Sequence, residues 1–292
     1  MAFFLHFIWY NKDNILGESK MKRNYHTHTM RCNHAFGSDE EYVIAAISGG
    51  YKVLGFSDHS PWKYKSDFVG RIRMPLSKFD DYYQSITTLK EKYKDQIEIK
   101  IGLECEYFPQ YMNWLKKFKE EKKLDYIILG NHFYKDDEYG VYYGRACKDD
   151  EMLTNYVNDC IEGMKTGLYA YLAHPDLFMR GRDYFDKHAK KESIRLLEAC
   201  KKMGVVIEYN LEGMKTVYRW GKVSYPCPEF WELASKIGNK AIIGIDAHDP
   251  KSLEKDGEFE RAKEVLKSLS IEIVEDIDTC YKLQKIAKSI DF

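Results

Sequence analysis

Short apolar runs rich in β-branched and aromatic residues alternate with longer amphipathic stretches along most of the chain. This alternation is expected of parallel strands that are joined by crossover helices. We count roughly seven or eight such units from the pattern. The strand candidates are Arg23–His26, Val53–His59, Ile97–Tyr107, Tyr126–Phe133, Ala170–His174, Val205–Asn210 and Ala241–Asp246, with a possible last one at Ile271–Val274.

Helix-length segments lie between these strand candidates. Ser77 resembles a helix start, because Asp80 and Asp81 fall in the first turn after it. The charged stretch Lys116–Lys123 indicates a solvated helix face. No low-complexity linker, repeat or change in composition divides the chain, so the pattern predicts one α/β barrel domain. The predicted helices are Asp39–Ser48, Ser77–Tyr93, Met152–Thr166, Lys187–Met203, Pro228–Lys236, Phe259–Leu269 and Thr279–Ser289.

The N-terminal residues stand apart from this pattern. Ala2–Tyr10 is apolar, but it is too short to span a bilayer and has no basic segment ahead of it. Met21 is followed at once by a strand-like segment. We therefore interpret residues 1–21 as an extension that an upstream start codon would explain, and we expect no export and a cytoplasmic location.

Size and charge narrow the possible functions. The 292 residues, 44% of them hydrophobic, suffice for the core of one barrel. Lys plus Arg total 45 and Asp plus Glu total 46, so no overall field would attract nucleic acid or an anionic membrane. The seven cysteines include no C-x-x-C pair and fit neither a disulfide framework nor a structural zinc knuckle. We expect reduced thiols and neither a nucleic-acid nor a membrane partner.

Histidines collect where the predicted strands end. Seven of the nine, all except His6 and His188, lie at or just beyond these ends. In a parallel barrel the strand ends share one rim, which is where barrel enzymes place their active sites. Packing or exposure gives no reason for this distribution, whereas metal ligation does. The candidate metal ligands are His26, His28, His34, His59, Glu104, His132, His174, Asp246 and His248.

This set is too large for one ion with four or six ligands, so two or three ions are predicted. His26 and His28 point the same way on a strand, although this pair alone is weak evidence because imidazoles also occur as structural groups. Imidazole and carboxylate donors without clustered thiolates favour zinc, iron or manganese. Three divalent ions among these ligands would leave a positive charge that attracts a phosphate dianion.

The ordered set of motifs resembles the polymerase-and-histidinol-phosphatase (PHP) superfamily. The motifs are the H-x-H start, His34, S-D-H, G-L-E, H-P-D and the closing D-A-H. Within the superfamily, several stretches are similar to the monofunctional histidinol-phosphate phosphatases, and the resemblance spans Lys22 to Pro250. These stretches are Asp58-His59-Ser60-Pro61, Arg73-Met74-Pro75-Leu76, Gly102-Leu103-Glu104, Asp125-Tyr126-Ile127-Ile128 and His174-Pro175-Asp176-Leu177.

The resemblance implies a distorted (β/α)7 TIM-like barrel over residues 22–292, with three divalent ions and a carboxylate that bridges two of them. Glu104 matches the bridging position, and Glu104 and Asp246 are the implied catalytic carboxylates. The implied reaction is hydrolysis of L-histidinol phosphate, a small phosphate ester of histidine biosynthesis, by a metal-bridging hydroxide. The first ion would be held by His26, His28, Glu104 and Asp246, the second by Glu104, His132 and His174, and the third by His34, His59 and His248.

Several residues are candidates for binding or protonating the substrate. Arg180 and Arg182 follow a strand end closely, and a guanidinium binds phosphate through two parallel hydrogen bonds. Arg73, in the long aromatic loop Ser60–Pro75, is a third phosphate candidate, with surface packing as the alternative. Asp58 is a candidate for orienting a histidine or protonating the leaving alkoxide, with loop capping as the alternative.

Two departures from the family pattern concern the substrate pocket. Gly130-Asn131-His132 stands where S-V-H is expected, and Asn210-Leu211-Glu212-Gly213-Met214-Lys215 stands where relatives have a sequence like N-T-S-G-L-R. The second departure makes Lys215 a further candidate for phosphate binding and makes the leaving group less certain than the hydrolytic chemistry. Glu106, on the same strand face as Glu104, is a candidate partner for a ligand, and His188 is expected to be a solvated residue without a catalytic role.

Other functional classes stay as alternatives. An amidohydrolase also opens with H-x-H, but its metal-bridging lysine has no counterpart here, since Lys135 comes after His132. A nuclease is disfavoured by the balanced charge, whereas another small phosphate ester or phosphotyrosine stays open as a substrate. A binding module that kept its metals and lost turnover is a non-catalytic alternative.

Overall fold

Seven parallel strands form one sheet in the computed structural model, which describes residues 22–214, 224–254 and 256–290. The strands follow each other in chain order, and every neighbouring pair is parallel. They are β1 (Lys22–Asn24), β2 (Tyr51–Phe56), β3 (Glu98–Cys105), β4 (Tyr126–Leu129), β5 (Tyr171–Leu172), β6 (Val206–Asn210) and β7 (Ala241–Gly244).

The first and last strands meet just beyond their carboxyl ends. Thr27 and Ala247 form a parallel bridge, and the Ala247 N–H donates to the His26 carbonyl at 3.1 Å. Below this bridge, the Ile245 N–H donates to Asn24 Oδ1 at 2.9 Å. The sheet is therefore nearly closed, and the predicted distorted TIM-like barrel is confirmed.

Helices follow the strands as the alternation predicts. Helix α1 begins with a capping box, in which the Ser38 side chain accepts from the Glu41 N–H and the Glu41 carboxylate accepts from the Ser38 N–H. The helices are α1 (Asp39–Ser48), α2 (Phe79–Lys92), α3 (Met112–Glu121), α4 (Tyr143–Ala146), α5 (Asp150–Lys165), α6 (Lys187–Met203), α7 (Pro228–Ile237), α8 (Lys251–Glu254), α9 (Asp256–Ser268) and α10 (Ile277–Ile290). Within the described ranges, none of them is long and apolar enough to cross a membrane.

The structure differs from the predicted strands in two ways. The segment Ile271–Val274 does not become an eighth strand, because it contributes a single bridge, between Ile273 and Ala241 at the start of β7. The predicted strands also extend past the observed ones: β2 ends at Phe56 and β4 at Leu129. The chain leaves the ladder at these ends and turns its polar side chains into the rim.

The barrel interior is filled by large side chains below that rim. Tyr126 lies across it, and its hydroxyl donates to the carbonyls of Tyr25 at 2.7 Å and Phe56 at 3.2 Å. Gly55 and Gly102 leave room for this side chain. A Cβ at Gly55 would lie 2.3 Å from the Tyr126 hydroxyl oxygen, and one at Gly102 would lie 2.7 Å from the Tyr126 ring. The interior is thus a packed core, and polar chemistry is confined to the rim at the carboxyl ends.

Candidate metal centre

The side chains that were predicted as metal ligands converge on Glu104, near the end of β3. Glu104 is 1% exposed, and five histidines from four strand ends surround its carboxylate. Each histidine nitrogen lies within 3.6 Å of a Glu104 oxygen. Oε1 lies 2.8 Å from His174 Nε2, 3.5 Å from His132 Nε2 and 3.6 Å from His26 Nε2, whereas Oε2 lies 2.9 Å from His59 Nδ1 and 3.6 Å from His28 Nε2.

Asp246, just beyond β7, extends the cluster on the other side of the H-x-H pair. Its Oδ1 lies 3.1 Å from His28 Nε2 and 3.4 Å from His26 Nε2. His248 completes this side, with its Nε2 atom 3.0 Å from His34 Nε2. The structure therefore brings all nine predicted ligands into one cluster, although their sequence positions extend from 26 to 248.

Several buried nitrogen and oxygen atoms of the cluster lack a hydrogen-bond partner among the described residues. His59 Nδ1 and Glu104 Oε2 are 2.9 Å apart, yet neither has a partner in hydrogen-bond geometry. Leaving such atoms buried and unpaired costs about 1–3 kcal/mol each, and coordinated cations would satisfy them. The residues thus fit a metal cluster. The unpaired atoms are His26 Nε2, His28 Nδ1, His28 Nε2, His59 Nδ1, Glu104 Oε2, His174 Nδ1 and Asp246 Oδ1.

Four of the histidines present their Nε2 atoms to the cluster because an oxygen acceptor faces the other ring nitrogen. An acceptor at Nδ1 keeps the proton there, and the Nε2 lone pair is then free to bind a metal ion. Glu106, directly after β3, is one of these acceptors, as its predicted place on the same strand face as Glu104 suggested. The contacts are His26 Nδ1 to Glu208 Oε1 at 2.8 Å, His34 Nδ1 to the Cys32 carbonyl at 2.7 Å, His132 Nδ1 to Glu106 Oε1 at 3.2 Å and His248 Nδ1 to the Asp246 carbonyl at 3.0 Å.

Electrostatics favour cations in this cluster. Burial raises the pKa of the Glu104 carboxyl, but His132, His26 and His59 outweigh burial and hold it well below its usual range. The pKa values of His34 and His59 are lowered, mainly by burial, and that of His248 falls to about 3 because of burial and the neighbouring His28. These three imidazoles are therefore neutral at pH 7 and can donate lone pairs.

His26 and His174 show the opposite balance. Burial lowers the pKa of each, but nearby carboxylates outweigh burial, so both pKa values are raised above the usual value. The main carboxylate is Asp246 for His26 and Glu104 for His174. The carboxylates thus stabilise positive charge at this end of the cluster, and bound cations would supply it.

The backbone at the rim is unusual at two predicted ligands. His174 has a φ of 27° and Asp246 a φ of 52°, in the left-handed region that residues other than glycine rarely adopt. Such conformations occur at functional sites, where the surrounding structure maintains them. These turns direct the two side chains from the ends of β5 and β7 into the cluster.

Gly130 explains one of the departures from the family pattern. A Cβ at this position would lie 2.0 Å from Glu104 Oε1. The serine that the family pattern predicts there would therefore displace the carboxylate, which is held among five histidines. Gly130 gives Glu104 the room for its observed position.

Asp58 lies beside the cluster with both oxygens occupied. Its Oδ1 accepts from the His59 N–H at 2.8 Å, and its Oδ2 accepts from the Thr29 hydroxyl. The side chain is fully buried, and Oδ1 lies 3.5 Å from His28 Nδ1. This environment suits a residue that orients the histidines better than one that protonates a leaving group.

The structure gives Arg73 a different environment from the predicted phosphate site. The side chain is fully buried and pairs with Glu106 Oε1 and Asp137 Oδ2, each at 2.7 Å. Its Nη1 atom also donates to the Ser60 carbonyl at 3.1 Å. Because these partners occupy the guanidinium, we do not assign Arg73 to phosphate binding or to a surface contact.

Arg180 and Arg182 differ in the same respect. Arg182 is 7% exposed and donates to the Cys147 carbonyl, Asp150 and Asp186, so its guanidinium is also occupied. Arg180 is exposed and donates to the Tyr142 hydroxyl at 3.0 Å. It also interacts with Tyr225, whose ring lies 6.1 Å from that of His174. Arg180 is thus the predicted arginine that borders the cluster, and Lys215 lies outside the described residues.

Glu208 and Asn210 were not singled out from the sequence. Both are fully buried on β6 and contact residues of the cluster. The available signal was a charged side chain within the apolar run Val205–Asn210. A buried carboxylate is rare unless it has a partner, so such a residue in a predicted core strand indicates a site.

Residues 24–212 match the PHP domain. The chain belongs to the PHP family. The match covers more than half of the sequence and confirms the resemblance that the motifs carry. In this PHP barrel, the metal-ligand candidates come from the ends of all described strands except β6.

Relatives of this PHP protein are named as phosphatases. It is 24% identical to the histidinol-phosphatase of Bacillus subtilis over 78% of this chain and 93% of the relative. It is 26% identical to the histidinol-phosphatase of Lactococcus lactis over 79% of this chain and 85% of the relative. The crystal structure of the Lactococcus lactis histidinol phosphate phosphatase, complexed with zinc, L-histidinol and phosphate, has the same fold. Its TM-score is 0.65 at 20% identity, over 87% of this chain and 95% of the other.

Proposed function

We propose that this PHP protein is a metal-dependent phosphomonoesterase that hydrolyses L-histidinol phosphate to L-histidinol and phosphate. The observation that carries the proposal is the cluster itself, in which seven histidines and two carboxylates converge at one rim and buried atoms of four of these histidines and of both carboxylates are unpaired. The names of the Bacillus subtilis and Lactococcus lactis relatives support the choice of substrate. The ligands in the Lactococcus lactis structure support it too.

The proposed assignment of ligands is the one that the resemblance to the PHP family implies. Glu104 would bridge the first two ions, because its Oε2 lies 3.6 Å from His28 Nε2 and its Oε1 lies 2.8 Å from His174 Nε2. Zinc, iron or manganese ions would lower the pKa of a bound water toward about 7 and neutralise the phosphoryl oxygens. The first ion would be held by His26, His28, Glu104 and Asp246, the second by Glu104, His132 and His174, and the third by His34, His59 and His248.

Protein groups at the edge of the cluster would bind and orient the substrate. Arg180 would hold the phosphate, because its exposed guanidinium lies beside Tyr142 and Tyr225 at the His174 side. Tyr225 is buried and would shield that side from water. Binding the phosphate in a fixed orientation keeps the attacking and leaving oxygens in line.

A second candidate is the hydrolysis of an aryl phosphate such as phosphotyrosine. Aromatic side chains on loops after β1, β4 and β5 are exposed: Phe36 by 71%, Tyr139 by 80% and Tyr184 by 70%. Phe36 borders the cluster, since its N–H donates to the His248 carbonyl at 2.8 Å. Such rings could contact an aromatic leaving group.

The proposal is tested by measuring phosphate release from histidinol phosphate, p-nitrophenyl phosphate and a phosphotyrosine peptide with manganese or zinc present. We expect histidinol phosphate to have the highest kcat/KM and a chelator to abolish turnover. Preference for the peptide would favour the second candidate, whereas hydrolysis of amides alone would contradict both.

Glu104→Gln is expected to lower the metal content and to reduce kcat by at least about 100-fold, because a neutral amide bridges two cations poorly. Elemental analysis and the phosphate assay measure the two effects. His188→Ala is the control, since His188 lies on α6 and contacts Thr154 and the Asp150 carbonyl of α5. Full metal occupancy and activity in Glu104→Gln would rule out the bridging role.

A further inference from the structure

Strand β6 is the one strand of the described barrel whose end supplies no predicted metal ligand. It nevertheless ends in two fully buried polar side chains, Glu208 and Asn210. We infer, on the basis of the metal centre in the proposed function, that these two residues form a positioning pair. The pair sets the orientation of ligands to the first and second ions and leaves the third ion untouched.

Glu208 connects two histidines that belong to different ions. Its Oε1 lies 2.8 Å from His26 Nδ1, and its Oε2 accepts from the His174 backbone N–H at 3.1 Å. The first contact keeps the His26 proton on Nδ1 and directs Nε2 to the cluster. The second holds the backbone of His174, whose φ of 27° is unfavourable without such support.

Asn210 extends the pair to a third ligand. Its amide nitrogen donates to Glu208 Oε2 at 2.9 Å and to Asp246 Oδ2 at 3.1 Å. Asp246 Oδ1, which faces His26 and His28, stays available to an ion. One amide group therefore fixes the distance between the Glu208 carboxylate and the Asp246 carboxylate.

The neighbouring strand is shaped to accept the Glu208 side chain. A Cβ at Gly244 of β7, which pairs with Asn210, would lie 1.8 Å from Glu208 Oε1. Any larger residue there would push the carboxylate away from His26.

Glu208 is a poor choice for stability alone. Among the described residues, the only ion pair of the Glu208 carboxylate is with His26, and no Lys or Arg side chain pairs with it. A buried carboxylate without a strong cationic partner destabilises a fold relative to an apolar residue. By contrast Glu192, buried on α6, pairs with Arg195. Apart from the Tyr171 hydroxyl, which donates to Oε1 at 3.4 Å, the described hydrogen-bond partners of the Glu208 carboxylate are His26, the His174 backbone and Asn210 of the pair.

The contacts of the pair predict a selective effect on the ions. Glu208 and Asn210 reach His26, His174 and Asp246, which belong to the first and second ions. No hydrogen bond of either residue in the described structure reaches His34, His59 or His248. A general loss of stability would weaken the binding of all three ions together. The pattern of ion loss therefore separates a positioning role of the pair from a purely structural one.

The experiment measures zinc retention by the full-length protein against increasing chelator concentration. Glu208→Gln removes the charge and keeps the size, and Glu192→Gln is the matched control. We expect Glu208→Gln to bind two of its three zinc ions about 10–100-fold more weakly, so that they are released at a lower chelator concentration than in the wild type. The third ion should be held as in the wild type. Glu192→Gln should retain all of its zinc like the wild type while unfolding at lower urea concentration.

Asn210→Ser provides a second variant if Glu208→Gln folds poorly by near-ultraviolet circular dichroism. It removes the amide that donates to Asp246 Oδ2 and to Glu208 Oε2, and we expect it to weaken binding of the first ion more than that of the second and to leave the third unchanged. Wild-type zinc affinities in Glu208→Gln, or equal loss of all three ions, would overturn the positioning role and leave the proposed function intact. A wild-type protein that binds no zinc, manganese or iron would overturn both.

Discussion

Arg180 and Arg182 are two positions apart on the same loop, yet their guanidinium groups meet different surroundings. Arg182 points into the protein and is occupied by Asp150, Asp186 and the Cys147 carbonyl. Arg180 is exposed beside Tyr142, on the His174 side of the cluster. At the residue scale, the direction of a side chain therefore decides whether an arginine stays exposed beside the cluster or is held by buried partners.

Arg180→Ala is expected to lower kcat/KM for a phosphate monoester by about 10–100-fold, because a hydrogen bond to a charged group contributes about 1.5–3 kcal/mol. Arg182→Ala should leave kcat/KM nearly unchanged and lower the free energy of unfolding, because Asp186 loses its partner. Steady-state kinetics and urea unfolding of both variants measure these effects. Equal kinetic losses in the two variants would contradict the assignment.

At the scale of elements, Arg73 joins two long rim loops to strand β3. Its guanidinium lies between Glu106, directly after β3, and Asp137 on the loop after β4. Glu106 in turn contacts His132 Nδ1 at 3.2 Å and accepts from the Trp62 indole N–H at 2.9 Å. The loops are thus fixed relative to a ligand of the cluster by one buried ionic network.

Arg73→Met is expected to lower the free energy of unfolding by about 3–5 kcal/mol, because Glu106 and Asp137 then lose their buried countercharge. Lys94→Met is the control: its pair with Glu91 is exposed and contributes at most about 1 kcal/mol. Urea unfolding followed by tyrosine and tryptophan fluorescence measures the difference. Similar losses in both variants would show that the buried network does not stabilise the loops.

Helices α4 and α5 meet at a carboxyl group with a raised pKa. Burial raises the pKa of Asp159 to about 6, although the Tyr143 hydroxyl donates to it at 2.5 Å and opposes the shift. The folded state then holds the proton more tightly than the unfolded chain, where the pKa is about 3.8. Stability from this group is therefore present below about pH 4 and is lost as the pH rises to about 6.

Asp159→Asn should remove this loss, because the amide does not ionise and its oxygen still accepts from Tyr143. Relative to the wild type, we expect the variant to gain roughly 1–3 kcal/mol in free energy of unfolding between pH 4.5 and pH 7.5. Urea unfolding of both proteins at the two pH values measures the gain. A constant difference between them would mean that Asp159 does not titrate in this range.

At the scale of the whole molecule, the cluster joins the ends of six of the seven described strands. Glu104 alone faces histidines that follow β1, β2, β4 and β5. Within the sheet, each of these strands pairs only with its neighbours in chain order. Bound ions would therefore stabilise the barrel as a unit, because they bind the folded state and not the separated strands.

Metal removal is accordingly expected to lower the midpoint of thermal unfolding by at least about 5 °C, since saturating ligand at 100 times its dissociation constant contributes about 2.7 kcal/mol. Differential scanning calorimetry with a chelator, and again after zinc is restored, measures the shift. Glu104→Gln should respond less than the wild type. An unchanged midpoint would argue against metal ions that link the strands.

Much of the cluster could be predicted because its residues are marked by local patterns. The ligand candidates other than His34 lie at or within a few residues of the end of an apolar run, and in a parallel barrel every strand end reaches the same rim. Arg73 and Glu208 show where this reasoning ends. Arg73 pairs with Glu106, and His26 with Glu208, across 33 and 182 positions of sequence, and no local pattern relates such positions.

The sequence by itself determined the class of fold, the family and the rim that carries the chemistry, because periodicity and ordered motifs are properties of neighbouring residues. The tertiary structure decided which arginine remains exposed, which carboxylates face the histidines and how Gly130 and Gly244 make room for Glu104 and Glu208. These features depend on distances between different strands and loops. Such distances arise only when the barrel closes and side chains from all strand ends compete for the same small volume.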